Sequence, residues 1–265
     1  MPDIMNQAMS AVVKQRPEVG RVLREYGIAC AGCSVGSCAL KDILLYHDVP
    51  EERKAEMWAR IGEAAGQGPL APPEGAAPPS RAPRGASPPV KKLVAEHTLI
   101  KRLLALIPHI LADLDLDTEP GRARVLGAVD FIRNYADKFH HAKEEDILFK
   151  YFDETQDIIQ VMCEDHTAAR AHVKAVEQGV HERDYAAVAQ RLEAYRELLS
   201  GHIAKEDDVL YPWMDRQLGD RRIGELHSRF QRVDAGEFPA GHAQKYEQFI
   251  ERLEHEFGCG KGETL

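Results

Sequence analysis

Between residues 90 and 215, apolar side chains recur at helical spacing in four successive segments. Leu93, His97, Ile100, Leu104 and Ile107 share the first stripe, and Val129, Ile132, Ala136, His140, Glu144 and Ile147 the second. Ile159, Met162, His166, Val173 and Val180 form the third, and Val188, Tyr195, Leu199, His202, Glu206, Val209 and Trp213 the fourth. Apolar residues at i, i+3, i+4 and i+7 place one face of a helix in a core. The pattern therefore predicts an all-α fold with four amphipathic helices. Histidines and glutamates lie inside these stripes rather than on the polar faces.

Short connections between the segments predict an up-down-up-down four-helix bundle. Thr118 is set to cap the second helix with Pro120 in its first turn, and the later turns fall near Asp153 and Asp184. Antiparallel helices bring residues to one level when they stand equally far from the shared turn. His97 and His140 lie 21 and 22 residues from Thr118, His140 and His166 each 13 from Asp153, and His166 and His202 each 18 from Asp184. At about 1.5 Å per residue the mismatch is no more than about 2 Å. The four histidines should meet in one layer. Pro108 is expected to bend or interrupt the first helix.

The chemistry of that layer follows from a repeated motif. His140-His141-Ala142-Lys143-Glu144-Glu145-Asp146-Ile147-Leu148 and His202-Ile203-Ala204-Lys205-Glu206-Asp207-Asp208-Val209-Leu210 each set a histidine and a glutamate four residues apart, one helical turn on one face. Glu96-His97-Thr98 and Asp165-His166-Thr167 repeat a shorter pattern. Four imidazoles and two carboxylates suit a dinuclear site: His97, His140, Glu144, His166, His202 and Glu206. Buried without a partner, such carboxylates would cost several kcal/mol or take up protons, and a metal pair removes that cost. The competing reading is core-edge histidines making ordinary i,i+4 contacts with surface glutamates. Duplication, apolar placement and matched level favour metal. Nitrogen and oxygen donors without thiolate suit iron, manganese and zinc alike. Glu145, Asp207 and Asp208 are expected to be solvated, with Asp207 within reach of the site if its helix rotates. Cys163 and Tyr195 lie near the layer, while His172, His181, His227, His242 and His255 are expected in solvent.

Composition divides the chain of 265 residues. Residues 66–89 are rich in Pro, Gly and Ala and form a linker whose length lets the parts it joins move independently. Before it, residues 1–65 form a small helical domain with helices near 9–13, 19–26, 39–46 and 51–61. Beyond it, residues 90–257 hold the bundle and one or two further helices, followed by a loose tail, 258–265, where Cys259 is expected as an exposed thiol. The small domain carries Cys30, Cys33 and Cys38 in a Gly- and Ser-rich loop. Cys30 and Cys33 could form a dithiol–disulfide pair; with Cys38 and His47 they could instead hold zinc or an iron–sulfur cluster. Five cysteines, three of them clustered, suit a reducing compartment. A net charge of −9 argues against nucleic-acid binding. No apolar run approaches a membrane span, and the first residues lack a signal-peptide pattern, so a cytoplasmic protein is expected.

The motif residues resemble the hemerythrin-like (HHE cation-binding) family, four-helix bundles with a non-haem di-iron centre. His97, His140, Glu144, His166, His202 and Glu206 are the matching positions. The resemblance implies two iron ions as cofactor. Oxygen-carrying hemerythrins have a further histidine four residues after the third-helix ligand, where this chain has Arg170. The set is closer to that of the repair-of-iron-centres proteins. That similarity implies a role in nitrosative and oxidative stress, with nitric oxide or oxygen species as ligands and damaged iron–sulfur proteins as partners. A sensor of oxygen, nitric oxide or redox state, or an iron donor, is the alternative. The stretch from Arg16 to Cys33 resembles the small cysteine domain associated with hybrid-cluster proteins; repair-of-iron-centres proteins instead carry adjacent cysteines in their N-terminal domain.

Overall fold

A computed structural model describes residues 4–28, 39–47, 49–73, 85–236 and 238–259. Cys30, Cys33, Cys38 and the middle of the linker lie outside the described residues. The described residues are helical apart from turns and one isolated bridge between Ala8 and Ala39. Two compact units are present. One comprises Met1–Ala86, Gln156–Val161 and Ala204–Gly219, and the other Ser87–Thr155, Met162–Ile203 and Asp220–Leu265.

In the first unit, α1 (Met9–Gln15) and α2 (Pro17–Glu25) meet at Arg16, where Pro17 starts α2 with the fixed φ that a first helical position needs. A short α3 (Ile43–Tyr46) follows, and α4 (Glu51–Ala64) packs against α2. Leu23, Met57, Trp58 and Ile61 are fully buried, as are Tyr211 and Met214 of α9 (Tyr211–Gln217). The guanidinium of Arg53 lies 4.4 Å from the Tyr26 ring centre, and Arg60 donates to Glu25 at 2.5 Å. Burial, with Arg216 nearby, pushes His47 from 6.5 down to about 4. A histidine held neutral in the fold but protonated when unfolded contributes stability that is full above pH 6.5 and lost as pH falls towards 4. Unfolding of the first unit should become easier across that window by up to about 3 kcal/mol. His47→Gln should flatten the dependence in denaturant titrations at several pH values; an unchanged slope would contradict it.

The second unit opens with α5 (Pro88–Ala112). Pro108 lies inside this helix, which continues to Ala112 rather than stopping at the proline. Thr118 caps α6 (Glu119–Phe131), its hydroxyl accepting from the Gly121 amide at 3.3 Å. The chain stays helical beyond α6, but as π-helix over Ile132–His141 and Glu144–Leu148. α7 (Asp157–Glu182) and α8 (Tyr185–Lys205) follow, and α8 runs on through a π-helical Glu206–Leu210 into α9. The expected one or two additional helices are two, α10 (Asp220–Gly236) and α11 (His242–Glu256), both against α5. Leu103, Ile107, Phe131, Val176 and Leu192 form a core to which α11 adds Tyr246, Ile250 and Leu253. His242, expected in solvent, is half-buried against Phe139 and Phe238 and donates from Nε2 to the Asn134 carbonyl at 3.0 Å. Cys259 is likewise packed rather than loose, with Sγ 3.5 Å from His109 Nε2.

The α5–α6 turn is held by Asp115, which accepts from the amides of Asp117 and Thr118 and from the Thr118 hydroxyl. These bonds hold its carboxyl below the usual range. A Cβ on Gly121 would stand 2.0 Å from the Asp115 carbonyl oxygen. Gly121→Ala should therefore cost about 1–3 kcal/mol by forcing the turn open. Chemical denaturation showing no loss would mean the turn yields freely.

Candidate metal centre

His97, His140, Glu144, His166, His202 and Glu206 are each fully buried. The His97 and His140 rings lie 4.5 Å apart and those of His166 and His202 4.6 Å apart. Donor atoms of His141, Glu144, His166 and His202 fall within 4.8 Å of one another, as do those of His97, His140 and Glu206. One oxygen of Glu144, Oε2, stands 3.5 Å from His166 Nε2 and 3.8 Å from His140 Nε2, between the two histidine pairs.

His141 is the residue that helical periodicity missed. It is buried, stacks on His166 with ring centres 3.9 Å apart and an interplanar angle of 15°, and lies 5.6 Å from its neighbour His140. On a regular α-helix, consecutive side chains diverge, and only one of two adjacent histidines faces the core. The π-helix ending at His141 uses one more residue per turn, which brings both into the interior. The available signal was the histidine doublet with Asp137 four residues before it.

A shell of carboxylates orients the imidazoles. His140 Nδ1 faces Glu96 Oε2 at 3.0 Å, His166 Nδ1 faces Glu145 Oε1 at 2.6 Å, and His202 Nδ1 faces Asp165 Oδ2 at 3.2 Å. Asp137 stands 3.6 Å from His141 Nδ1. An Nδ1–H directed at its carboxylate would leave the Nε2 lone pair of His140, His166 and His202 facing inward, the arrangement that fixes tautomer and raises donor strength in metal sites. Glu145, expected as a solvated charge, is thus half-buried and bonded to His166, with Arg170 donating to it at 2.8 Å. Burial raises Glu145, but the bonds from His166 and Arg170 outweigh it and its carboxyl lies below the usual range. Burial is likewise outweighed at Asp137, where His141 and Arg170 hold the carboxyl at about 2. Glu96 is the exception: burial lifts it to about 7, against the pull of Lys143.

Lys143, inside the first motif, is fully buried. Its ammonium reaches Glu96 at 2.5 Å and Asp234 of α10 at 2.9 Å, and lies 3.4 Å from the Phe139 ring centre. Lys92 of α5 also binds Asp234, at 2.5 Å. Asp207 and Asp208 join neither donor group. Cys163 is partly buried, and burial raises its thiol.

The donor set fits a metal. His166 Nε2 and His202 Nε2 are 3.0 Å apart, the separation of two imidazole nitrogens each about 2.1 Å from a shared ion at near a right angle. Two inward lone pairs at that distance, beside a buried carboxylate, repel unless a cation stands among them. No curated protein and no solved structure matches the chain. Residues 89–214 match the family described as Hemerythrin HHE cation binding domain, a span that includes every histidine and glutamate of the two donor groups. This stretch of the chain is helical throughout its length apart from turns, and is similar to that cation-binding family.

Proposed function

We propose that this domain holds two iron ions through His97, His140, Glu144, His166, His202 and Glu206, with His141 as an additional imidazole. The four principal helices run up-down-up-down around them. The observation that carries the reading is the position of Glu144 Oε2, 3.5 Å from His166 Nε2 and 3.8 Å from His140 Nε2, where its carboxylate would help hold the metal. Bound there, an iron pair supplies one-electron redox change and open positions for a small ligand. The chain's part is to hold His140, His166 and His202 by their outer carboxylates and keep bulk water from the buried donors.

Resemblance to repair-of-iron-centres proteins supports a cytoplasmic role in nitrosative and oxidative stress, with nitric oxide or oxygen species as ligands and damaged iron–sulfur proteins as beneficiaries. In this reading the module of Cys30, Cys33 and Cys38 supplies electrons, thiols or a docking surface, and no nucleic acid or membrane takes part. Anaerobic nitric oxide titration of the iron-loaded chain, with and without a reductant, tests it. Continued consumption with the reductant, reduced by Cys30→Ser/Cys33→Ser, is expected. Full consumption by that double variant would refute coupling to the cysteines. Stoichiometric uptake without turnover would make the protein a sensor, and iron transfer to an apo acceptor would make it a donor.

A further inference from the structure

Beside the histidine cluster a cavity of about 400 Å³ opens between the π-helical stretch after α6, α7 and α8. Ile132, Ala169 and Val173 give it an apolar floor, all three buried. Lys138 and Lys174 stand exposed at its rim. Arg133 and Arg170 also line it, but are held by Glu177 and by Asp137 with Glu145. The two lysines make no ion pair among the described residues, and Lys138 meets only the neutral Asn134 amide at 3.3 Å. Tyr195 contributes to the lining, is 1% exposed, and its hydroxyl has no hydrogen-bond partner among the described residues. A buried hydroxyl without a partner is unfavourable, and a ligand oxygen would satisfy it. The volume is that of a small-molecule pocket, far beyond what a diatomic gas fills.

We infer that this cavity binds a small aromatic or branched aliphatic monocarboxylate: its hydrocarbon body on Ile132, Ala169 and Val173, its carboxylate at Lys138 and Lys174, and a hydroxyl on its body against Tyr195. The site requires no metal, although His141 in its wall connects it to the donor cluster. Calorimetric titration of the full chain, metal-free and iron-loaded, with 4-hydroxybenzoate, benzoate and 4-hydroxybenzamide tests it. Expected is saturable binding of 4-hydroxybenzoate with Kd below about 1 mM, and binding of the amide about tenfold weaker. Lys138→Glu/Lys174→Glu should erase the preference for acid over amide. Tyr195→Phe should erase the preference for 4-hydroxybenzoate over benzoate, and Val173→Phe should remove binding of all three. Absence of saturation in both metal states, or an amide bound as tightly as the acid, overturns the inference. Failure of the chain to hold iron, measured on the same samples, would bear on the metal centre alone.

Discussion

Glu144→Ala is expected to lower bound metal from about two ions to fewer than about one per chain, because one buried oxygen faces both histidine pairs at 3.5 and 3.8 Å. Loss of an outer hydrogen-bond partner alone weakens metal sites by about 10–100-fold, and removal of a shared donor should exceed that. Asp208→Ala is the matched control, since Asp208 lies in the second motif copy but is exposed and outside both donor groups. Elemental analysis after gel filtration reads the result. Equal metal in the Glu144 variant and the control would remove the bridging role. Thermal unfolding adds a second readout, since a ligand bound only by the folded state raises its stability.

Lys143→Met carries the largest expected stability loss. The lysine is fully buried, and its removal leaves Glu96 and Asp234 without the ammonium that each meets within 3 Å. Breaking a buried ion pair by removing one partner costs about 3–5 kcal/mol, because the remaining charge stays in a poorly solvating interior. Glu96→Gln in the same chain should return part of the loss, so the double variant should be less destabilised than the sum of the singles. Glu96 also orients His140, and metal affinity should fall in both single variants. Equilibrium denaturation giving a loss below about 1 kcal/mol for Lys143→Met would show that the pair is solvated.

Much of this was legible from periodicity. The apolar stripes located α5, α6, α7 and α8, Thr118 marked the cap it forms, and the repeated His-x-x-x-Glu selected residues that are all buried. What escaped has a common cause. A stripe at 3.6 residues per turn assumes α-helix, whereas the chain is π-helical over Ile132–His141 and Glu144–Leu148. The extra residue per turn brought His141 inward and turned Glu145 to His166. Lys143 was overlooked for a different reason: composition rules place lysine in solvent, and nothing local announces the two carboxylates, on α5 and α10, that hold it inside. His242 likewise became a core-edge residue through partners more than 100 positions away in sequence. Long-range pairing of this kind leaves no trace in a local pattern.

Iron, zinc and acid-labile sulfide per chain, measured on anaerobically purified protein, test the central claim most directly. The account predicts about two irons per chain held by the histidine and glutamate donors, with any sulfide lost in Cys30→Ser/Cys33→Ser while those irons stay. Fewer than about one metal ion per chain, even after anaerobic reconstitution, would contradict it.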